Sequence, residues 1–360
     1  MAAQKLRIGF CGTGNMGQCA HLRNYAALKD ECDVVALAEI RRETGAAVAR
    51  KYGVPAVYTE AKDMLKNEKL DAIVASQPFT RHGVIMPELL EAGIPVFTEK
   101  PLSGSIACGE RIIAAMRKAK TWMMIGYHKR SDPASMYALE RVKAFKASGE
   151  LGKLTYIRVT MPAGDWVQNG FFDHLNCEGS GVTWGGGTGL QWEPAPDDMP
   201  EDLVNPYHAF VNYYIHQVNF LRYLLGEGYH FKYADPSGVL VAGESDSGVA
   251  LTLEMTPYRT TRDWQESALI AFQHGWISVE LPAPLALNRA GTVTVFRDPE
   301  KSAEGPSLTT PVLPNVHAMR QQAANFLAAV RGERAPMCTA EDALLDLHTA
   351  REYIRLRYGR

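Results

Sequence analysis

The turn Gly12-Thr13-Gly14-Asn15-Met16-Gly17 constrains the fold of this chain more than any other stretch, because of what flanks it. The apolar run Leu6-Arg7-Ile8-Gly9-Phe10-Cys11 precedes it and reads as a buried strand, and a helical pattern near 15–29 follows. A G-x-G-x-x-G turn between strand and helix presents backbone N–H groups at a helix N-terminus with no side chains in the way, which is what a dinucleotide pyrophosphate requires. The turn therefore predicts the first βα unit of a doubly wound α/β sheet, with Gly12, Thr13, Gly14, Asn15, Met16 and Gly17 as the cofactor cradle.

The pattern up to residue 126 agrees with that start. Candidate strands at 6–11, 33–38, 70–75, 94–98 and 122–126 alternate with helical patterns near 15–29, 43–52, 80–92 and 105–119, as a parallel Rossmann sheet requires. Gly93 stands where a left-handed helix cap is expected. Beyond Gly126 the texture changes. A helix near 134–147 is followed by an alternating strand at 154–160 and by further alternating runs at 238–243, 248–255, 266–273, 276–281 and 292–297. Strands without helices between them predict a mostly antiparallel open sheet in an α+β C-terminal domain. Helical patterns at 317–331 and 340–357 close the chain.

The expected organisation is an NAD-binding domain over 1–126 and a substrate-binding and oligomerisation domain over 127–360, interrupted by an irregular insertion at 162–206. That insertion is rich in glycine and proline and carries Trp166, Trp184 and Trp192, which argue against disorder. A long irregular stretch of this kind either packs on a sheet edge or subunit interface, or covers a substrate.

With 360 residues and 46% hydrophobic content, the chain can bury two cores. A net charge of only -2 gives no electrostatic case for nucleic acid or an anionic membrane as partner. No apolar stretch reads as a signal peptide or membrane span, so the cytoplasm is the expected setting. The six cysteines lack both C-x-x-C pairing and a histidine–cysteine cluster at zinc spacing, and are expected to be reduced thiols with no metal.

At the end of the second strand run stands Glu39. A carboxylate there accepts hydrogen bonds from the adenosine ribose hydroxyls and repels a 2′-phosphate, favouring NAD over NADP. Arg41 and Arg42 pull the other way, since a guanidinium stacks on adenine or pairs with a phosphate.

Thr98-Glu99-Lys100-Pro101 follows the apolar run Ile94-Pro95-Val96-Phe97 at a strand end, where open α/β sheets bind ligands. With the glycine turn, it resembles the Gfo/Idh/MocA family of glucose-fructose oxidoreductase, inositol dehydrogenase and MocA. The resemblance implies that Lys100 sits beside the nicotinamide and the reacting hydroxyl, with Glu99 also at the cofactor. Ser76-Gln77-Pro78 and His82 resemble the family's nicotinamide-ribose and pyrophosphate contacts, although His82 reads equally as a helix-surface residue. Tyr127, His128, Lys129 and Arg130 stand where the family places substrate and nicotinamide contacts, and Arg130 matches a recurring arginine. Their basic character suits a carboxylate, sulfonate or phosphate on the substrate, or is a solvated charge run.

The resemblance continues in Asn212-Tyr213-Tyr214-Ile215-His216-Gln217-Val218-Asn219, where helical spacing puts Asn212, His216 and Asn219 on one face. Where Asn212 and Asn219 stand the family usually has aspartate; His216 matches its proton-accepting histidine. Tyr213 resembles the Tyr-x-x-His arrangement of the family's NAD-dependent glycosidases. Trp166, Trp184, Trp192 and Trp264 offer flat apolar faces on which sugars stack.

Oxidising an alcohol removes a hydroxyl proton as hydride leaves carbon, which needs a base and a cation against the developing alkoxide. The family resemblance assigns these tasks to His216 and Lys100 and implies NAD-dependent hydride transfer at a ring hydroxyl of a sugar, polyol or glycoside. Two alternatives stay open: a redox-neutral NAD-dependent glycosidase, and a non-catalytic sensor of sugars or nucleotides. The expected partners are a small carbohydrate and further copies of the chain, forming a dimer or tetramer through the C-terminal sheet.

Overall fold

A computed structural model describes residues 4–178, 190–299 and 305–359. Trp184 lies outside the described residues. The chain divides into two compact units, the first formed by Met1–Tyr127, Asn169–Val204 and Gln322–Leu347, the second by His128–Gln168, Asn205–Gln321 and His348–Arg360.

The first unit is built on six parallel strands, β1 Leu6–Cys11, β2 Cys32–Ala38, β3 Ala56–Tyr58, β4 Ala72–Ala75, β5 Val96–Glu99 and β6 Met123–Gly126. Their order is β3-β2-β1-β4-β5-β6. β4, β5 and β6 are buried at every position, as strands covered on both faces must be. The order reverses between β1 and β4, so the loops after these two strands diverge and leave the crevice in which such sheets hold ligands. β3 and the helix Ala61–Asn67 were not expected from the sequence, being too short to show a period.

This unit reaches well past residue 126. Its core joins Ile8, Phe10, Leu37, Val74, Phe97 and Met124 to Ala323, Phe326 and Leu327 of the helix Ala318–Val330. Tyr25 and Trp122 stand edge-on to the Phe326 ring, and Phe97 lies tilted 5.6 Å from it. The Ile125 N–H, on β6, donates to the Cys338 carbonyl at 3.0 Å.

The second unit carries an eight-stranded sheet of β7 Leu154–Thr160, β8 Tyr229–Ala234, β9 Leu240–Ser245, β10 Ala250–Glu254, β11 Ser267–Phe272, β12 Gly275–Glu280, β13 Thr292–Arg297 and β14 Ser307–Thr309. The order is β14-β13-β12-β11-β7-β10-β9-β8, with only β7 and β10 running parallel. Alternation is clean: on β11, Ala268, Ile270 and Phe272 are buried while Ser267, Leu269 and Ala271 are half-buried. The helix Pro133–Ser148 packs on β12 and β13, and the helix Ile215–Leu225 on β7. Asp132 caps the first of these helices by accepting from the Ala134 N–H, and Gly149 ends it in a left-handed conformation.

Two expectations change here. The irregular insertion expected over 162–206 ends in a regular helix, Glu201–Tyr213, which tolerates Pro206. The single helix expected through 212–225 is broken at Tyr214, where Ile215–Leu225 begins anew.

Candidate functional site

The glycine turn has the shape its sequence implies. Gly12 has φ +90°, and a Cβ there would lie 2.3 Å from the Ser76 carbonyl oxygen, so only glycine fits. A Cβ on Gly17 would lie 2.3 Å from the Gly12 carbonyl oxygen, so the helix packs directly on the turn. At Gly14 a Cβ would meet nothing within 4 Å. The first and third glycines thus serve packing, while the second leaves open space toward which a ligand can bring a phosphate. The helix begins as a π-helical turn over Gly17–Leu22 before Arg23–Ala27 becomes α-helical. Gln18 closes the turn by donating to the Thr13 carbonyl at 2.7 Å.

At the end of β2, the Glu39 carboxylate is buried and multiply engaged. Its Oε2 accepts from the Thr13 N–H at 2.8 Å and from the Thr13 hydroxyl at 2.7 Å. Arg41 donates to Oε1 from Nε at 2.8 Å and to Oε2 from Nη2 at 3.0 Å. Burial works to raise the Glu39 pKa, but the Arg41 bonds and charge outweigh it and hold the carboxyl below the usual range. Glu39 therefore ties the glycine turn to the end of β2, and the expected ribose contact would be made by a carboxylate already fixed in place.

The loops after β4 and β5 are stapled by His82, which is fully buried rather than on a helix surface. Its Nδ1 faces the Pro101 and Leu102 carbonyls at 3.1 and 3.2 Å, and its Nε2 lies 3.4 Å from Thr98 Oγ1. Nε2 also faces the Gln77 carbonyl at 3.2 Å, so both ring nitrogens lie against backbone oxygens, and burial lowers the pKa of the ring. Ser76 continues the ladder through its N–H to the Cys11 carbonyl at 2.8 Å. Gln77 lies over Gly12 and accepts from Arg81 at 3.2 Å, and Pro78 starts the short turn Phe79–Arg81.

Lys100 follows β5 directly and is half-buried. Glu99 is not turned toward open space. Its Oε1 pairs with His21 Nε2 at 2.5 Å and its Oε2 accepts from the Lys100 N–H at 3.2 Å. Burial would raise the Glu99 pKa, but the bond and charge of His21 keep it low. Nothing in the local sequence pointed to His21, because its role depends on the π-helical turn that aims it at β5.

The described part of the segment after residue 169 lies along the first unit and brings in carboxylates the sequence did not single out. Asp173 pairs with Arg23 and with Lys51, and Leu175 exchanges two hydrogen bonds with Gln18. Glu178 accepts from the start of the helix Arg42–Tyr52. Glu193 accepts from the Gly83 N–H and from the Gly104 N–H, the latter at 2.8 Å. Trp192 lies under the Arg81 guanidinium, 5.9 Å from carbon to ring centre.

Within the second unit, the run after Tyr127 is not a solvated charge patch. His128, Lys129 and Arg130 are all buried. Lys129 pairs with the buried Glu266, which also accepts from Gln217 at 2.6 Å. Arg130 donates to Asn219 at 2.6 Å and lies 5.3 Å from the Tyr223 ring centre. The Lys129 charge is thus matched by a carboxylate inside the unit, whereas Arg130 is held by a neutral amide and an aromatic face. Tyr127 itself, in the first unit, is buried and donates its N–H to the Ile125 carbonyl.

The break at Tyr214 changes the expected histidine face. Asn212 is exposed at the end of one helix, whereas His216 and the buried Asn219 belong to the next. The His216 ring meets His128 edge-on at 4.7 Å. Tyr213 sits with Trp166, Tyr214 and Trp264 in a cluster around Met161 and Ala283, and burial raises its phenol pKa. Trp166 and Trp264 therefore contribute to packing. Among the described residues no group of three or more His, Cys, Asp or Glu side chains is arranged to hold a metal ion, and no helix is long and apolar enough to cross a membrane.

A doubly wound sheet with its glycine turn at the switch point, followed by a mostly antiparallel open sheet, places the chain in the NAD-binding Rossmann class. Residues 6–127 match the family described as "Oxidoreductase family, NAD-binding Rossmann fold", GFO_IDH_MocA. The match to this Gfo/Idh/MocA family covers the first unit's sheet, β1 to β6. The chain is similar to the myo-inositol 2-dehydrogenase of Thermotoga maritima, at 24% identity over 252 residues, 68% of this chain and 64% of that protein. Inositol 2-dehydrogenase 1 of Saccharopolyspora erythraea is 33% identical over 131 residues, 36% of this chain and 39% of that protein. The chain thus spans less than two thirds of the length of these curated relatives. The WlbA dehydrogenase of Bordetella pertussis, solved in complex with NADH and UDP-GlcNAcA, shares the fold at a TM-score of 0.69 and 18% identity, with 100% of this chain and 97% of that chain covered.

Proposed function

We propose that this protein is an NAD-dependent dehydrogenase that acts on a ring hydroxyl of a sugar, inositol or related polyol. The observation that carries this is the glycine turn, closed to any side chain at Gly12 and Gly17 but open at Gly14, at the switch point of the sheet. That cradle fits a dinucleotide pyrophosphate. The family match over residues 6–127 and the names of the inositol dehydrogenases the chain resembles support the substrate class.

NAD, when bound, supplies the hydride acceptor. The chain's own residues do the remaining work. The backbone of Gly12–Gly17 holds the pyrophosphate at a helix N-terminus, with Ser76-Gln77-Pro78 across the switch point and Glu39 and Arg41 at the adenosine end. Lys100 places an ammonium at the end of β5, where it stabilises an alkoxide, and Glu99 with His21 behind it fixes the start of that loop. His216 takes the hydroxyl proton. Tyr213 is the weaker base, since burial disfavours its phenolate.

The same proposal extends to assembly, with copies of the chain joined through the half-buried face of the eight-stranded sheet, where Trp276 and Phe296 stack at 5.8 Å. Light scattering of the purified protein reads that state directly.

To test the activity, the protein is mixed with inositols, aldoses and aryl glycosides while NADH absorbance and aglycone release are both recorded. NADH formed one-for-one with a ketone product is the expected result. Aglycone released with only trace NAD, and deuterium taken from solvent at the ring carbon next to the oxidised one, would establish a redox-neutral glycosidase instead.

A further inference from the structure

We infer that Glu178, brought in by the segment after residue 169, sets the cofactor preference of the first unit by standing where a 2′-phosphate would bind. This rests on the proposal that the unit binds a nicotinamide dinucleotide. The helix Arg42–Tyr52 starts directly after β2, the strand whose end holds the adenosine ribose in doubly wound sheets. Its capping residue Arg41 makes no side-chain cap. The first N–H groups are satisfied from elsewhere: Glu43 N–H donates to Glu178 Oε1 at 2.6 Å and Thr44 N–H to Oε2 at 3.0 Å. The Thr44 hydroxyl donates to Oε2 as well. Both oxygens of one anion are thus held by two backbone donors and a hydroxyl at a helix N-terminus, the environment that suits a phosphate.

Arg41, the cation at the cap of this helix, is committed too. Arg41 is bound to Glu39 through Nε and Nη2, and to the Thr13 carbonyl through Nη2 at 3.1 Å. Glu39 and Glu178 both act on its charge. A 2′-phosphate entering here would find its donors taken and would face an additional carboxylate, which is rejection by occupied donors and like charge. NAD, lacking that phosphate, has no need of these groups.

The contacts that hold the segment do not depend on Glu178. The Cys177 N–H donates to Thr44 Oγ1 at 2.9 Å, Asp173 pairs with Arg23 and Lys51, and Leu175 is bound to Gln18. Removing the Glu178 carboxylate therefore frees the Glu43 and Thr44 donors, next to the exposed Arg42, while leaving the segment attached.

The test is a titration of the full chain with NAD and with NADP, followed by tryptophan fluorescence and calorimetry, for the wild type, Glu178→Ala and Glu178→Gln. Glu178→Gln keeps the size of the side chain and removes only its charge, and thermal melting of each variant confirms folding. The expected result is a wild type that prefers NAD, NADP affinity raised about tenfold or more in Glu178→Ala and severalfold in Glu178→Gln, and NAD affinity changed less than about threefold in both. A wild type that binds NAD, with NADP affinity unmoved in both variants, overturns the assignment of Glu178 and leaves the proposed cofactor standing. A wild type that prefers NADP overturns the assignment as well. Binding of neither dinucleotide overturns both.

Discussion

Replacing His21 by leucine should be among the most damaging single changes in the first unit. Its ring pairs with Glu99 where both are buried, so its loss leaves a carboxylate uncompensated, at a cost of about 3–5 kcal/mol. Urea unfolding of His21→Leu against wild type measures this; a change below about 1 kcal/mol would mean that Glu99 finds another partner. Lys100→Ala and His216→Ala carry a different signature. Each should lower turnover by about two to four decades with little change in NAD affinity, the scale of a positioned charge or base. Near-normal kcat in either variant removes that residue from the chemistry. Asp132 gives a pH-dependent case. Burial raises its pKa from 3.8 to about 6 against the opposing N–H bonds of Ala134 and Gly291. The folded state therefore holds a proton that the unfolded chain releases, and the stability from this group is fully present below about pH 4 and lost as pH rises through about 6. The loss is on the order of 3 kcal/mol at one pKa unit per 1.36 kcal/mol. Asp132→Asn should remove that slope, so unfolding free energies of the two proteins at pH 4 and pH 7 isolate it from other carboxyls.

At the scale of elements, the glycine turn makes two separable predictions. Gly14→Ala should leave the melting temperature within a few degrees of wild type, because the added methyl meets nothing, yet weaken NAD binding at least tenfold by filling the approach to the backbone. Gly17→Ala should instead destabilise the fold, because its methyl would strike the Gly12 carbonyl. Equal effects of the two on stability would contradict the geometry. What was legible in the sequence follows the same division. β1, β5 and the glycine turn announce themselves through local period and composition, as do β11, β12 and β13 through alternation. β8 carries a legible alternation in Tyr229, His230, Phe231, Lys232 and Tyr233 that the sequence reading passed over, and only its end departs from the pattern, where the pairing with β9 shifts register between Phe231 and Tyr233 and Ala234 is buried in place of Tyr233. The break at Tyr214 was missed because the residues around it fit one continuous helix, and its hydroxyl bond to the Met255 carbonyl is made to a distant part of the chain. For the same reason His21, Glu178 and Glu193 escaped notice: each acts on a partner far away in sequence, and no local pattern encodes that.

At the scale of the whole molecule, the N-terminal core includes Phe326, fully buried and ringed by Tyr25, Phe97 and Trp122. Phe326→Ala should cost about 3–5 kcal/mol, as truncation of a buried phenylalanine does. By the same token a fragment of residues 1–127 should bind ANS and lack near-UV ellipticity, since its apolar face is left uncovered; a fragment with dispersed, native-like NMR signals would show that the later helix is dispensable. The feature also sets an order in time. A chain leaves the ribosome from its N-terminus, yet the unit that begins at β1 gains its last core residues only when the helix Ala318–Val330 emerges. The unit begun first therefore stays open until nearly all of the chain has been made, its dinucleotide cradle carried meanwhile beside a core that lacks Phe326, and the second unit closes only after it, with His348–Arg360.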